Sequence, residues 1–388
     1  MAIPGSGQVS LSDLYDEFTG THSNEEIQLS DYHDTGNAPA SGEIQLATDF
    51  YGTSSAYDPP WQGNTGFFFG GQRYGNTNAN PPRVVRDAVH QHSISSNSGS
   101  WADAGDLREN RTRTKAGSNG SRIVVGGGAE TTNGWSWTPH ISMDYTSFAS
   151  PASTWSDFGD FVAGDESGGV YWKGYPTVHS NGTVAVWTGG GGWNGDSIET
   201  ITVSTTGNAT DSGDMAYKDW NAAGSSGSTR AIYKKGGTFW VTDLEYFAFS
   251  SVTSWSDFGD MNGSWMNGRY ECIEDDTRVW FMGRYNSSGY SSSGIDYITV
   301  ASTGDSSSWG DLRLNSGGTR VASDCATMAN GTRAVVHGGF SSSSGQQVRY
   351  QYMSHYIHVF TLASTGNATD DFADGFEALV EHGGASGT

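Results

Sequence analysis

A strand-like run that ends at or close to a glycine recurs six times along the chain, and this repeat restricts the fold more than any other feature. Each run opens with Thr or Ser, has Arg as its second residue in four of the six copies, and continues mainly with β-branched, aromatic or Ala residues. The runs occupy residues 65–70, 121–126, 183–189, 229–233, 277–283 and 332–338, and their glycines are 47 to 63 residues apart. A period of about 50 residues built from strands is typical of a β-propeller.

Two further strand patterns complete each repeat. After a variable loop, a second run alternates apolar and polar residues, as in 141–145, 198–203, 295–300 and 357–362. A third element carries Asp-x-Gly-Asp or a relative of it, at 101–107, 155–161, 210–215, 255–261, 309–312 and, in degenerate form, 371–374. With one more strand before each first run, the pattern predicts an all-β propeller of six four-stranded blades. A seventh blade that the pattern does not reveal is the alternative.

The first repeat lacks a strand before its first run, because residues 58–61 contain two prolines. The last residues, 383–388, instead resemble 223–229, which fill that position in the fourth repeat. The C-terminus is therefore expected to complete the first blade and close the ring, which also removes exposed sheet edges.

Residues 1–52 contain a different and shorter repeat. Its three copies, 8–15, 26–32 and 43–52, alternate apolar and polar residues and then place Ser or Thr and Asp before an aromatic residue. This order predicts a short strand followed by a capped helical turn. Three such units bury little surface alone, so residues 1–55 are predicted to form a small docking module and residues 56–388 the propeller.

Composition excludes several classes of protein. The chain has 20 Lys and Arg against 42 Asp and Glu and a net charge of −22, which disfavours binding to nucleic acid or to anionic membranes. It has no run of 18 apolar residues, so no membrane insertion is expected. The 55 glycines together with 49 aromatic residues fit a turn-rich β protein rather than a disordered chain or a helical bundle.

Few residues suggest catalysis. Asp-x-Gly-Asp is interpreted as a tight turn, with calcium binding and a sialidase-type Asp box as alternatives. His90 and His92 share one face of a strand, but no third zinc ligand is evident. Glu271, Asp275 and Asp276 allow a glycosidase carboxylate pair, although a solvated hairpin is favoured. The sequence thus predicts no enzyme, no metal and no cofactor.

The two cysteines, Cys272 and Cys325, fall at near-equivalent positions of neighbouring repeats. We interpret them as small buried residues. A disulfide between adjacent blades is the alternative, and it requires Cα atoms within about 7 Å.

The loops after the glycine-ending strands carry the candidate binding residues. In a propeller these loops emerge on one side of the ring. Their aromatic residues, set among Gly, Asn and Ser, provide flat surfaces for stacking on sugars. Packing on neighbouring loops or on another copy of the chain is the alternative. The candidates are Tyr74, Trp135, Trp137, Trp193, Tyr285, Tyr290 and Phe340.

The N-terminal repeat resembles a module of virion structural proteins from tailed phages that infect marine cyanobacteria. The segments 295–304 (IDYITVASTG) and 364–370 (STGNATD) look like a repeat of the same group, often I-D-Y-I-T-I-A-S-T-G-N-A-T-D-F-G-D-L. The resemblance implies a virion protein whose N-terminal module binds other virion proteins. Its anchoring residues would be Leu11, Leu14, Tyr15, Leu29, Tyr32, Leu46, Phe50 and Tyr51.

Three functions follow as hypotheses. The first is non-catalytic recognition of a host surface glycan by the aromatic loops. The second is a purely structural role as a head-decoration, head-fibre or tail accessory protein. The third, disfavoured by the absence of a catalytic motif, is a glycan-degrading enzyme.

Overall fold

A computed structural model describes most of the repeat region, and its contacts divide the chain into Met1–Asp58 and Pro59–Thr388. The described residues all lie in the second unit; they are 63–74, 83–96, 101–131, 137–162, 176–190, 195–217, 219, 222–236, 241–262, 271–283, 293–312, 324–339, 357–369, 379 and 381–387. The N-terminal module and its eight candidate anchoring residues lie outside this part and stay a prediction.

The repeats form six antiparallel sheets arranged as a six-bladed β-propeller, as the period predicted. The strands of each blade are given from the inner strand outward. Blade 1 consists of β27 (Gly383–Gly387), β1 (Thr65–Phe69), β4 (Ala88–Ser93) and β5 (Ala102–Asp106), and blade 2 consists of β6 (Lys115–Ser118), β7 (Arg122–Gly126), β10 (Ser142–Ser147) and β11 (Ser156–Asp160). Blade 3 consists of β12 (Thr177–Ser180), β13 (Val184–Thr188), β14 (Ser197–Thr202) and β15 (Thr210–Asp214).

Blades 4 to 6 follow the same order. Blade 4 consists of β16 (Ala223–Ser226), β17 (Arg230–Lys234), β18 (Asp243–Ala248) and β19 (Ser251–Asp260), and blade 5 consists of β20 (Glu271–Glu274), β21 (Arg278–Met282), β22 (Gly294–Thr299) and β23 (Ser307–Asp311). The described strands of blade 6 are β24 (Ala326–Ala329), β25 (Arg333–His337) and β26 (Ile357–Thr361). Small hairpins join β2 (Gln72–Tyr74) to β3 (Arg83–Val85) and β8 (Ala129–Glu130) to β9 (Thr138–Pro139). Within the described ranges there is no helix that could cross a membrane.

The second strand of each blade is buried on both faces because it lies between two neighbouring blades. In β13, Ala185 and Trp187 pack toward blade 2, where the Trp187 ring meets Phe161 at 5.5 Å. Val186, between them, packs toward Tyr233 of blade 4. Successive side chains of one strand therefore pack into two different cores, one on each side of the blade. This explains why these runs are continuously apolar and do not alternate between apolar and polar residues.

The last strand closes the ring as predicted. β27 pairs with β1 from Thr65 opposite Gly387 to Phe69 opposite Gly383. A Cβ at Gly383 would lie 2.1 Å from the Phe69 ring, so this close approach requires glycine. The six inner strands contact one another in the circular order β27, β6, β12, β16, β20, β24 and back to β27.

Serine side chains tie four neighbouring inner strands together at their C-terminal ends. Ser226 Oγ donates to Ser180 O at 2.7 Å, and Ser180 Oγ donates to Ser118 O at 2.7 Å. Ser118 Oγ in turn donates to Ser386 O at 3.4 Å. Every donor points to the preceding blade. Glu274 takes the equivalent position in β20, according to its pairing with Val279.

The interpretation of Asp-x-Gly-Asp as a tight turn is wrong, because the motif lies inside the outer strands. In blade 2 the pairing of β10 with β11 shifts register after Met143, which marks a β-bulge. Gly159 adopts φ +145°, and a Cβ there would lie 2.3 Å from Gly207 O of blade 3. Close approach of two backbones therefore explains the glycine at this position of blade 2.

The turn at residues 204–208 (STTGN) of blade 3 supplies the other half of this contact. Gly207 N donates to Phe158 O at 2.7 Å, and Asn208 Oδ1 accepts from Asp160 N at 3.0 Å. The same backbone bond recurs from blade 5 to blade 4, where Gly304 N donates to Phe258 O at 2.6 Å. Each such turn covers the outer strand of the preceding blade.

The disulfide alternative for the cysteines is also wrong, since both thiols are free. Cys272 is the second residue of β20, whereas Cys325 precedes β24, so the two positions are not equivalent. Burial raises the pKa of both thiols well above the ordinary value.

Candidate functional site

The second strands that precede the predicted aromatic residues in the sequence all end on one side of the propeller. Each second strand runs antiparallel to its inner strand, so Gly126 at the end of β7 lies opposite Lys115 at the start of β6, and Met282 opposite Glu271 in blade 5. We call this side, where inner strands begin and second strands end, the loop face. Five of the predicted residues lie outside the described part of the chain: Trp135, Trp193, Tyr285, Tyr290 and Phe340.

The other two predicted residues are placed by the structure. Tyr74 was expected in a loop, but it ends strand β2 and pairs with Arg83, because the hairpin continues beyond the blade. Trp137 directly precedes β9 and is half-buried. The Arg113 guanidinium lies 3.8 Å from the centroid of the Trp137 ring. This distance makes a cation–π contact that fixes the indole plane.

Arg113 is itself fixed by a carboxylate from the far end of the chain. Its Nε donates to Glu381 Oε2 at 2.9 Å, and only 9% and 3% of the two side chains are exposed. The Arg113 backbone N–H also donates to Glu381 O at 2.7 Å, and the Gln72 side-chain amide donates to the same carboxylate. Contacts from blade 1, blade 2 and the ring-closing segment thus fix the Arg113 guanidinium against the Trp137 ring. We call this stack of Arg113 and Trp137 the platform.

A second arginine anchors the segment that carries Arg113. Arg111 is fully buried and donates to Ser142 O and Ser142 Oγ, each at 2.9 Å, and to Gly127 O at 3.3 Å. It forms ion pairs with Asp144 and Glu109, both at 3.2 Å. Burial raises the pKa of Asp144 above its ordinary value, although Arg111 opposes the shift.

His140 and Glu109 complete this cluster. Burial raises the pKa of Glu109, but a hydrogen bond from Ser142 and the charges of His140 and Arg111 outweigh it, so the net shift is downward. Burial, followed by the charge of Arg111, lowers the pKa of His140. The His140 ring contacts Glu109 Oε2 at 2.7 Å through Nδ1, and its Nε2 lies 3.2 Å from Asn110 O. The segment beneath the platform is therefore rigid and densely hydrogen-bonded.

Sequence reasoning missed Arg111, Arg113 and Glu381. A signal was present, since Arg108, Arg111 and Arg113 fall within six residues of a chain that has only 20 basic residues. No pattern, in contrast, connects this segment to Glu381, about 270 residues later.

Blade 4 presents charged groups on the loop face instead of a long aromatic loop. Lys235 forms ion pairs with Glu245 at 2.8 Å and Asp243 at 3.2 Å, and its ammonium lies 4.8 Å from the Tyr217 ring. Burial lowers the pKa of the neighbouring Lys234 to about 8. This cluster gives blade 4 a polar surface beside the aromatic positions of the other blades.

A central channel runs between the inner strands. It has a volume of about 110 Å³ and is lined by all six inner strands. Lys115 and Glu271, from opposite blades, form an ion pair across it, with 27% and 14% of their side chains exposed. At the other end of β20, burial and then the charge of Asp275 raise the pKa of Glu274 to about 8.

The carboxylates considered for glycoside hydrolysis do not converge. Glu271 binds Lys115 at one end of β20, and Asp275, beyond the other end, accepts from Arg278 N at 2.8 Å. Asp276 Oδ1 accepts from Ser228 N of blade 4 at 2.6 Å.

His92 is buried and its ring lies 4.9 Å from that of Trp101. In the part of the chain that is described, no three His, Cys, Asp or Glu side chains are grouped to hold a metal ion.

Comparison with protein-family models gives no match for this chain, and comparison with curated proteins gives none. Function is therefore inferred from the loop face itself.

Proposed function

We propose that the chain is a virion protein of a tailed phage whose propeller recognises a host surface glycan without catalysing a reaction. Residues 1–55 would attach it to other virion proteins, and the loop face would meet the cell. The motif resemblance supports the virion assignment. The loop face supports the binding role.

The observation that carries the binding role is the stack of Arg113 on Trp137. A buried carboxylate, Glu381, orients the guanidinium, and the guanidinium orients the indole. An aromatic ring that is already immobilised loses little conformational entropy when a ligand binds. Sugar rings present flat C–H faces, which suit such a platform. The candidate aromatic residues of the other loops follow strands that end on the same face.

The test measures binding of the full-length protein to a glycan array and to intact host cells. We expect Trp137→Ala, and the double variant Trp135→Ala/Trp193→Ala, to weaken binding about tenfold or more, as is usual for central aromatic residues of an interface. Tyr145→Ala is the matched control, because Tyr145 is also stacked by an arginine, Arg122 at 4.6 Å, toward the opposite side of the ring. It should bind like the wild type.

Three results would contradict the proposal. Binding that is equal in the Trp variants and the control would place the receptor site elsewhere. Absence of binding by the wild type, combined with many symmetric copies in a map of the virion, would instead favour a structural role. Reducing ends released from host polysaccharide would support the enzyme hypothesis.

A further inference from the structure

Two buried histidines meet at the point where the ring closes. His337 ends β25 of blade 6, and His382 directly precedes the closing strand β27. His337 Nδ1 and His382 Nε2 are 2.9 Å apart, and the two side chains are 0% and 1% exposed. The Phe68 ring of β1 packs against both, with centroid distances of 5.1 and 5.7 Å. The pair thus joins the last blade to the strand that completes the first.

The two facing nitrogens, His337 Nδ1 and His382 Nε2, can share only one hydrogen between them. The other ring nitrogen of His382, Nδ1, is buried without a hydrogen-bond partner among the described residues. A second proton on His382 must therefore either make Nδ1 an unsatisfied buried donor or place a second hydrogen between the two rings and break their bond, and both results are unfavourable.

The surrounding charges do not favour a proton on the pair. The titratable and charged groups on the elements packed around it are Lys115, Arg113, Glu381, Asp324 and His92. The Glu381 carboxylate is engaged by Arg113, and Lys115 contributes a positive charge. Burial, His337 and Lys115 together hold the pKa of His382 well below its ordinary value.

We propose that the His337–His382 pair makes ring closure sensitive to acid, so that β27 detaches from blade 1 at mildly acidic pH while the other blades stay folded. When β27 detaches, His382 becomes free to bind a proton at its ordinary pKa of about 6.5. Linkage then increases the equilibrium constant for opening by about 30-fold between pH 7.5 and pH 5.0 from this residue alone.

Hydrogen exchange of the full-length protein tests the proposal. The readout is the protection factor of the amides in Gly383–Gly387, corrected for the pH dependence of intrinsic exchange, relative to β21 of blade 5. We expect protection in the closing strand to fall about 30-fold or more from pH 7.5 to pH 5.0, and to stay below the protection of β21 at both pH values, because opening of the closing strand alone does not expose β21.

Variants separate the histidine pair from other acid effects. In His337→Gln/His382→Gln two amide groups can still share a hydrogen bond, but neither titrates, so the pH-dependent loss should shrink to about threefold or less. His179→Gln, the matched control in blade 3, should leave the loss at β27 unchanged. For each protein, the quantity compared is the ratio of the protection factor of Gly383–Gly387 at pH 7.5 to the same protection factor at pH 5.0. If the double variant does not fold, His382→Gln serves in its place.

Three outcomes would overturn the proposal. The first is protection in Gly383–Gly387 that persists at pH 5.0. The second is protection in Gly383–Gly387 that equals the protection of β21 at both pH values, which would mean that the ring unfolds as one unit. The third is a pH-dependent loss that survives in the glutamine variant.

Discussion

Replacement of Arg111 by methionine should strongly destabilise the propeller. Arg111 and Asp144 are both 0% exposed, and Arg111 Nη2 lies 3.2 Å from Asp144 Oδ2. With an effective dielectric constant of about 20, the attraction across this distance is about 5 kcal/mol. Removing one partner of a buried ion pair typically costs 3–5 kcal/mol, because the other charge stays buried. Arg108 keeps a contact of 3.4 Å with Asp144, so we expect a loss of about 3 kcal/mol.

The assay is equilibrium unfolding in guanidinium chloride at pH 7, followed by far-UV circular dichroism and tryptophan fluorescence. Arg108→Gln is the matched control, because Arg108 binds the same carboxylate from a position that is 34% exposed. Its loss should stay below about 1 kcal/mol. The double variant Arg111→Met/Asp144→Leu removes both charges and should recover at least half of the loss.

The reasoning fails if Arg111→Met costs no more than Arg108→Gln. It also fails if the double variant is less stable than Arg111→Met alone, since the destabilisation would then come from lost packing and not from an unpaired carboxylate.

Three further predictions follow from single contacts. Burial lowers the pKa of His179 from 6.5 to about 4, so the unfolded chain binds a proton here at higher pH than the folded protein does. The free energy of unfolding should therefore fall by about 3 kcal/mol as the pH falls from 6.5 to 4. His179→Gln should remove this part of the pH dependence of the unfolding free energy, and an unchanged slope would contradict it. Gly259→Ala would place a Cβ 2.5 Å from backbone atoms of Gly304, so its melting temperature should fall by several degrees, whereas a change within error would contradict the close contact. Arg113→Lys keeps the charge but not the planar stack on Trp137, so glycan affinity should fall with little change in melting temperature; equal affinity would argue against the platform.

The architecture was predictable from sequence because each blade repeats the same pattern of strands. Runs such as 277–283 reveal a doubly buried strand, and the likeness of 383–388 to 223–229 reveals how the ring closes. Asp-x-Gly-Asp was misjudged because Asp and Gly are typical of turns, whereas here Gly159 is required by the backbone of the next blade. The need for glycine at position 159 comes from the backbone of the neighbouring blade and not from the local sequence.

The candidate site was predictable only in part. The choice of loops depended on propeller geometry, and this identified Trp137. The contacts that hold Trp137 in place occur once in the chain and link Arg113 to Glu381. Periodicity cannot reveal a contact that does not repeat, and the buried ion pair of Arg111 with Asp144 was missed for the same reason.

The pairing of β1 with β27 also determines when the protein can finish folding during synthesis. Thr65 and Gly387 are directly opposed in blade 1 but 322 residues apart along the chain. A ribosome that adds ~5–20 residues per second needs roughly 15 to 65 s to cover that distance. Throughout this interval the inner edge of Thr65–Phe69, with three consecutive phenylalanines, has no partner strand from its own blade. The nascent chain therefore exposes an aggregation-prone edge until Gly383–Gly387 has emerged and paired with β1.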